Sequence, residues 1–173
     1  MKPVFLLFIH ILFLWAGWQE FTSLEGRFRI LSPGEMTQKV DTVSTEVGTL
    51  AYHTFFYQST AEDADNLFYM VSYCDYPEGT FPLDSTALLE EFFATTIEAA
   101  AAAVDGEVLY TTDIQLKNYP GKFWRIDYLD GKAVIKTKAY MVGDRYYAVQ
   151  VISYKSGNIN AAADKFFDSF HLL

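Results

Sequence analysis

Residues 122–154 read KFWRIDYLDGKAVIKTKAYMVGDRYYAVQVISY. Three runs rich in apolar, aromatic and β-branched residues, Lys122–Leu129, Lys132–Val142 and Arg145–Tyr154, are separated only by Asp130-Gly131 and Gly143-Asp144. Connections this short cannot hold a crossover, so the runs predict consecutive antiparallel strands. A turn at Asp130-Gly131 also fixes the register: Arg125 falls opposite Lys136, with Asp127 diagonally within reach of that lysine. Strand alternation then puts Lys136, Lys138 and Tyr140 on one face.

Outward from this stretch the same grammar continues. Glu107–Leu116 reads as a strand joined to the first of the three through Asn118–Gly121. Upstream, Phe28 and Ile30 before Ser32-Pro33-Gly34 predict a brief strand, and Gln19–Leu24 a lead-in to it. Lys39–Thr45, Thr49–Gln58 and Leu67–Tyr76 predict three more strands, with polar or proline-bearing loops after the last two. Leu88, Leu89, Phe92, Phe93, Thr96, Ile97, Ala100 and Val104 form one helical stripe, capped by Asp84 or Ser85 and ended by Asp105-Gly106. A second helix spans Asn160–Phe170, with Asn160 as its cap and Ala163, Phe166, Phe167 and Phe170 at helical spacing. The sum is an α+β domain: an antiparallel sheet of about six to eight strands flanked by helices.

The first seventeen residues differ from this pattern. Lys2 precedes an apolar run from Pro3 to Trp15, broken only by His10, and Ala16-Gly17 offers small residues for cleavage. The segment 1–17 reads as a signal peptide, with an N-terminal anchor as the alternative, and 18–173 as one domain. The expected location is extracytoplasmic, periplasmic or secreted.

The formal charge is −9. Between Lys39 and Lys117 there are fourteen acidic residues and no Lys or Arg, whereas Lys117–Lys155 holds eight basic residues against Asp127, Asp130 and Asp144. So acidic a chain makes nucleic acid a poor partner. The uneven distribution either steers a charged partner or solubilises one edge. Cys74 is the only cysteine, so no intrachain disulfide forms, and its place in a strand makes it a small buried hydrophobe.

No metal or cofactor is implied. His10, His53 and His171 are scattered, and no phosphate loop, nucleophile elbow or Cys-x-x-Cys occurs. Asp75 and Glu78 form a carboxylate pair of the kind a hydrolase uses, or belong to a solvated loop. The binding candidates are Tyr76, Tyr119 and Trp124, aromatics beside turns, with Arg125, Lys136 and Lys138 as a cationic stripe. Each has a plainer reading: the aromatics close the ends of the core, and the stripe is a solvated sheet face.

Leu24–Gly34 (LEGRFRILSPG), Asn118-Tyr119-Pro120-Gly121, Tyr140–Tyr147 (YMVGDRYY) and Phe166–Phe170 (FFDSF) together resemble the PsbP-like superfamily. The resemblance covers the chain from about Phe21 onward and implies an α/β/α sandwich, an antiparallel sheet between helices. It also implies a scaffold for binding other proteins, with no shared catalytic residues to carry over. The expected function is an exported, non-enzymatic accessory protein that engages a protein partner, with peripheral membrane association as one setting. The alternatives are a small-molecule carrier with an aromatic-lined cleft and a carboxylate-dependent hydrolase.

Overall fold

A computed structural model describes residues 17–82 and 85–173. The leader expected over 1–17 lies outside the described residues apart from Gly17, and so does the candidate cap Asp84. Among the described residues no helix is long and apolar enough to cross a membrane.

The described elements run β1 (Gln19–Ser23), β2 (Phe28–Ser32), β3 (Thr37–Thr45), β4 (Gly48–Gln58), β5 (Phe68–Asp75), α1 (Thr86–Ala102), β6 (Glu107–Leu116), β7 (Tyr119–Tyr128), β8 (Ala133–Val142), β9 (Arg145–Tyr154), α2 (Ala161–Asp168) and β10 (His171–Leu172). Seven strands form one sheet in the order β3-β4-β5-β9-β8-β7-β6, every neighbouring pair antiparallel. A smaller sheet has the order β1-β2-β10.

The register across β7, β8 and β9 follows the turns, with Arg125 paired to Lys136 and Val142 to Arg145. Where β7 begins differs from the sequence reading. Lys117 takes the left-handed conformation (φ 57°) and makes the turn with Asn118, so the strand starts at Tyr119. Pro120 is tolerated there because β8 pairing begins one residue later, at Gly121 opposite Tyr140. Gly121 itself permits a close approach, since a Cβ at that point would meet the Ala139 carbonyl and the Tyr140 ring. The lead-in Gln19–Ser23 is a strand, pairing with β2 from Gln19↔Ser32 to Ser23↔Phe28.

Alternation divides the large sheet into two faces. On one, Phe55, Tyr69, Val71, Tyr73, Tyr147 and Val149 pack against Phe28 and Ile30 of β2 and against Phe166, Phe167 and Phe170 of the α2 segment. On the other, Trp124, Ile126, Met141 and Tyr146 pack against Phe93, Ile97 and Ala101, the i, i+4, i+8 stripe of α1. Ala139 and Ala148 are cross-strand neighbours beneath that helix, and their small side chains leave room for the larger rings. Asn160 caps α2, its Oδ1 accepting from the Ala163 N–H at 2.7 Å. Ser85 is the N-cap of α1, and its side chain makes no capping bond.

The α+β class and the antiparallel sheet are therefore as expected. The three-layer sandwich needs amending, because the layer over the first face is α2 together with a three-stranded sheet. The fold is more β-rich than helices on both sides of a single sheet.

Candidate functional site

Arg125 of β7 and Lys136 of β8 are cross-strand partners, and Lys138 lies two residues farther along β8, opposite Phe123. Their common parity turns all three toward the α2 face. The connection from β9 to α2 folds over the same place. Arg125 donates from Nε to Asp127 Oδ1 at 2.6 Å and from Nη2 to Asp127 Oδ2 at 3.1 Å, and its Nη1 reaches Asn158 Oδ1 at 3.2 Å. Lys136 Nζ donates to the Asn158 carbonyl. Lys155 Nζ approaches the second Asp127 oxygen at 3.2 Å. Asp127 thus pairs with Arg125 two residues away on its own strand, and not with Lys136 as the diagonal register implied.

Lys138 sits over the Phe167 ring at 5.2 Å from its centroid and reaches Asp168 at 3.3 Å. Tyr110, Phe123 and Phe167 extend this margin as an edge-to-face chain, with centroids 5.6 and 6.2 Å apart. The Arg125 hydrogen bonds, aided by Lys155 and opposed by burial, hold the Asp127 carboxyl below the usual carboxylate range. Burial, then the adjacent Arg125, pulls the Lys136 pKa down, against the opposing effect of Asp164. Two cations are thus packed side by side at a half-buried seam. Each has a protein partner, so the row can present a fixed positive field at its margin but offers no vacant anion cradle.

The other three candidates lie elsewhere. Tyr119 is half-buried at the start of β7, on the parity of Phe123 and Arg125 but at the far end of the strand. Trp124 points to the opposite face, is 1% exposed, and belongs to the core under α1. Tyr76 is half-buried on that same side, between the rings of Phe81 and Phe92 at 5.1 and 5.6 Å. Both aromatics take the plainer of their two readings, closing the core. Asp75 is bound by Arg145, whose Nη2 donates to Oδ2 at 2.6 Å, so it is no free partner for Glu78. Cys74 is buried, and burial pushes its thiol up to about 11. Among the described residues no group of three His, Cys, Asp or Glu side chains could hold a metal ion.

A groove of about 520 Å³ lies between the first turns of α1 and the β6–β7 hairpin. At its floor Lys122 donates to Glu90 Oε2 at 2.6 Å and also to Asp113. Those two hydrogen bonds, Asp113 first, raise the lysine pKa. Sequence reasoning missed this triad and the role of Asn158, because their partners lie 32 and 33 residues apart in sequence. Only the helical position of Glu90 and the strand position of Lys122 were legible signals.

No family model matches the chain, and no curated protein sequence does. Its structure is similar to the solution structure of cyanobacterial PsbP (CyanoP) from Synechocystis sp. PCC 6803, with a TM-score of 0.58 and 12% sequence identity, over 91% of this chain and 94% of that one. At such identity the likeness is one of architecture, and it agrees with the opening strand, the hairpins and the closing helix read from the sequence: the chain has a PsbP-like fold.

Proposed function

We propose that this chain is an exported, non-enzymatic accessory protein that engages a protein partner, with peripheral association at a membrane surface as one setting for it. One observation supports this above the rest. Lys138 and Lys155 stand at the accessible margin of a row whose inner cations, Arg125 and Lys136, are held by Asp127 and Asn158. A row already fixed in place loses little freedom on binding and favours an acidic protein surface. The acid-rich stretch between Lys39 and Lys117 gives much of the rest of the chain the opposite sign, which would orient the encounter.

The test is photo-cross-linking in the native host from a probe at Lys132, beside the row. The expected result is one saturable adduct, lost in the Lys138→Glu, Lys155→Glu variant while its circular dichroism spectrum still shows the folded protein. An adduct indifferent to both charge reversals, or none that saturates, counts against the reading.

The carrier alternative draws on the groove beside α1, but among the described residues Phe93 is the one aromatic in its lining, and Lys122 is already engaged. A small molecule retained by the protein in native mass spectra would favour that reading.

A further inference from the structure

The two edges of the seven-stranded sheet are unlike. β6 has a register shift between Val108 and Tyr110, a bulge of the kind that blunts an edge against pairing. β3 pairs with β4 without interruption from Thr37↔Phe56 to Thr45↔Gly48, and among the described residues nothing follows it in the sheet order. Its nine residues, TQKVDTVST, contain no proline and are rich in β-branched side chains. Val40, one residue before its centre, is 52% exposed. A lone lysine on an edge normally discourages pairing, yet here Lys39 is accompanied by Asp41, with Nζ and Oδ2 2.8 Å apart.

That spacing is self-complementary about Val40. A two-fold axis through Val40, perpendicular to the sheet, places Lys39 opposite Asp41 of a second copy and Asp41 opposite Lys39 of that copy. It places Gln38 opposite Thr42 and Thr37 opposite Val43. Moving the axis by one residue sets Lys39 against Lys39 or Asp41 against Asp41, and both are unfavourable. A two-fold antiparallel contact must also keep paired side chains on one face, so registers between these positions do not exist.

The geometry points to an isologous homodimer in which β3 of one copy pairs with β3 of the other in this register, joining the two large sheets into one. The outward N–H and C=O groups of the edge become paired, and two cross-copy ion pairs select the alignment. On the same face, an apolar dish of about 390 Å³ lined by Phe56, Phe68, Met70 and Ile152 is rimmed by Lys39 and Asp41. The axis keeps both dishes on one side of the joined sheet, flanking the seam.

The test is sedimentation equilibrium of the purified protein across the micromolar range. The expected result is a closed monomer–dimer equilibrium. Lys39→Asp and Asp41→Lys should each weaken it by about tenfold or more, since each replaces two attractive pairs by two repulsive ones. The double swap Lys39→Asp, Asp41→Lys should restore it, and mixing the two single variants should yield the heterodimer. A disulfide at the axis gives a second readout. Val40→Cys should cross-link copy to copy under mild oxidation, since directly opposed Cα atoms lie ~5 Å apart, within disulfide reach. Cys74 is buried and does not compete. A protein that stays monomeric, a mass that grows without limit, or a dimer indifferent to both single reversals overturns the proposal. So would a foreign peptide occupying β3 while Val40→Cys fails to cross-link.

Discussion

The two faces of the large sheet are closed by different parts of the chain. Over one, β1 and β2 arrive from the N-terminal side and α2 and β10 from the C-terminal side, and the backbone N–H of Leu31 donates to Ser169 Oγ, 138 residues away, at 2.9 Å. Over the other, α1 comes from the middle of the chain and packs against β6 and β7. The first cover is interlocked: Phe28 has the rings of Phe21, Phe55, Tyr147 and Phe170 around it at 5.6–6.3 Å. The second is partial, and Phe56, Phe68, Met70 and Ile152 remain only half-buried beyond its reach. The difference teaches that a sheet can gain one rigid, fully closed face and keep part of the other available as surface.

The strongest way to break that comparison is to truncate one apolar side chain from each face. Phe28→Ala removes a wholly buried side chain from the interlocked cover and should cost ~3–5 kcal/mol. Met70→Ala, on the uncovered half of the other face, should cost about 1 kcal/mol or less. Urea denaturation of both variants checks the contrast, and equal losses would mean that the second face is as tightly packed as the first.

A smaller effect is expected from alkaline titration. Burial pushes Tyr73 and Tyr140 on the interlocked face, and Tyr76 on the other, up to about 12. The unfolded chain releases these protons near pH ~10, so it binds fewer protons than the folded state above that point. Stability is therefore whole below about pH 10 and falls as the pH climbs toward about 12. Phenolate absorbance should rise together with loss of the circular dichroism signal. If one class of tyrosine ionises near its ordinary value in a still-folded protein, and Tyr76→Phe removes that class, the α1 face is the more open of the two.

The smallest effect belongs to the tie that holds α1 down. Lys122 is 12% exposed, but its partners Glu90 and Asp113 are 58% and 81% exposed, so solvent screens the triad. Lys122→Met should cost below about 1 kcal/mol and leave the stability less dependent on salt. A loss of several kcal/mol would show that the second cover depends on this one lysine.

How far the molecule was legible in sequence follows the same division. The turns Asp130-Gly131 and Gly143-Asp144 dictated the register of β7, β8 and β9, because short loops leave few alternatives. The apolar stripe of α1 and the cap of α2 were equally local, and so was the shared face of Arg125, Lys136 and Lys138. Alternation alone also places Trp124 opposite Arg125, so the two could not have served one surface. What local rules could not supply was the docking of β10 and the choice of Asn158 as the group that fixes Arg125 and Lys136. Each depends on segments brought together by the finished fold.

The small sheet carries one more consequence. β2 lies between β1, its neighbour in sequence, and β10, which begins at His171, and the Leu173 N–H donates to the Arg27 carbonyl at 3.0 Å. As the chain is synthesised, β3 to β9 can assemble while the aromatic face still lacks α2 and β10. That face closes only once α2 and β10 have followed β9, which makes its closure an event of long sequence separation. Until then the growing chain exposes an aromatic surface, and α2 with β10 acts as the latch that removes it.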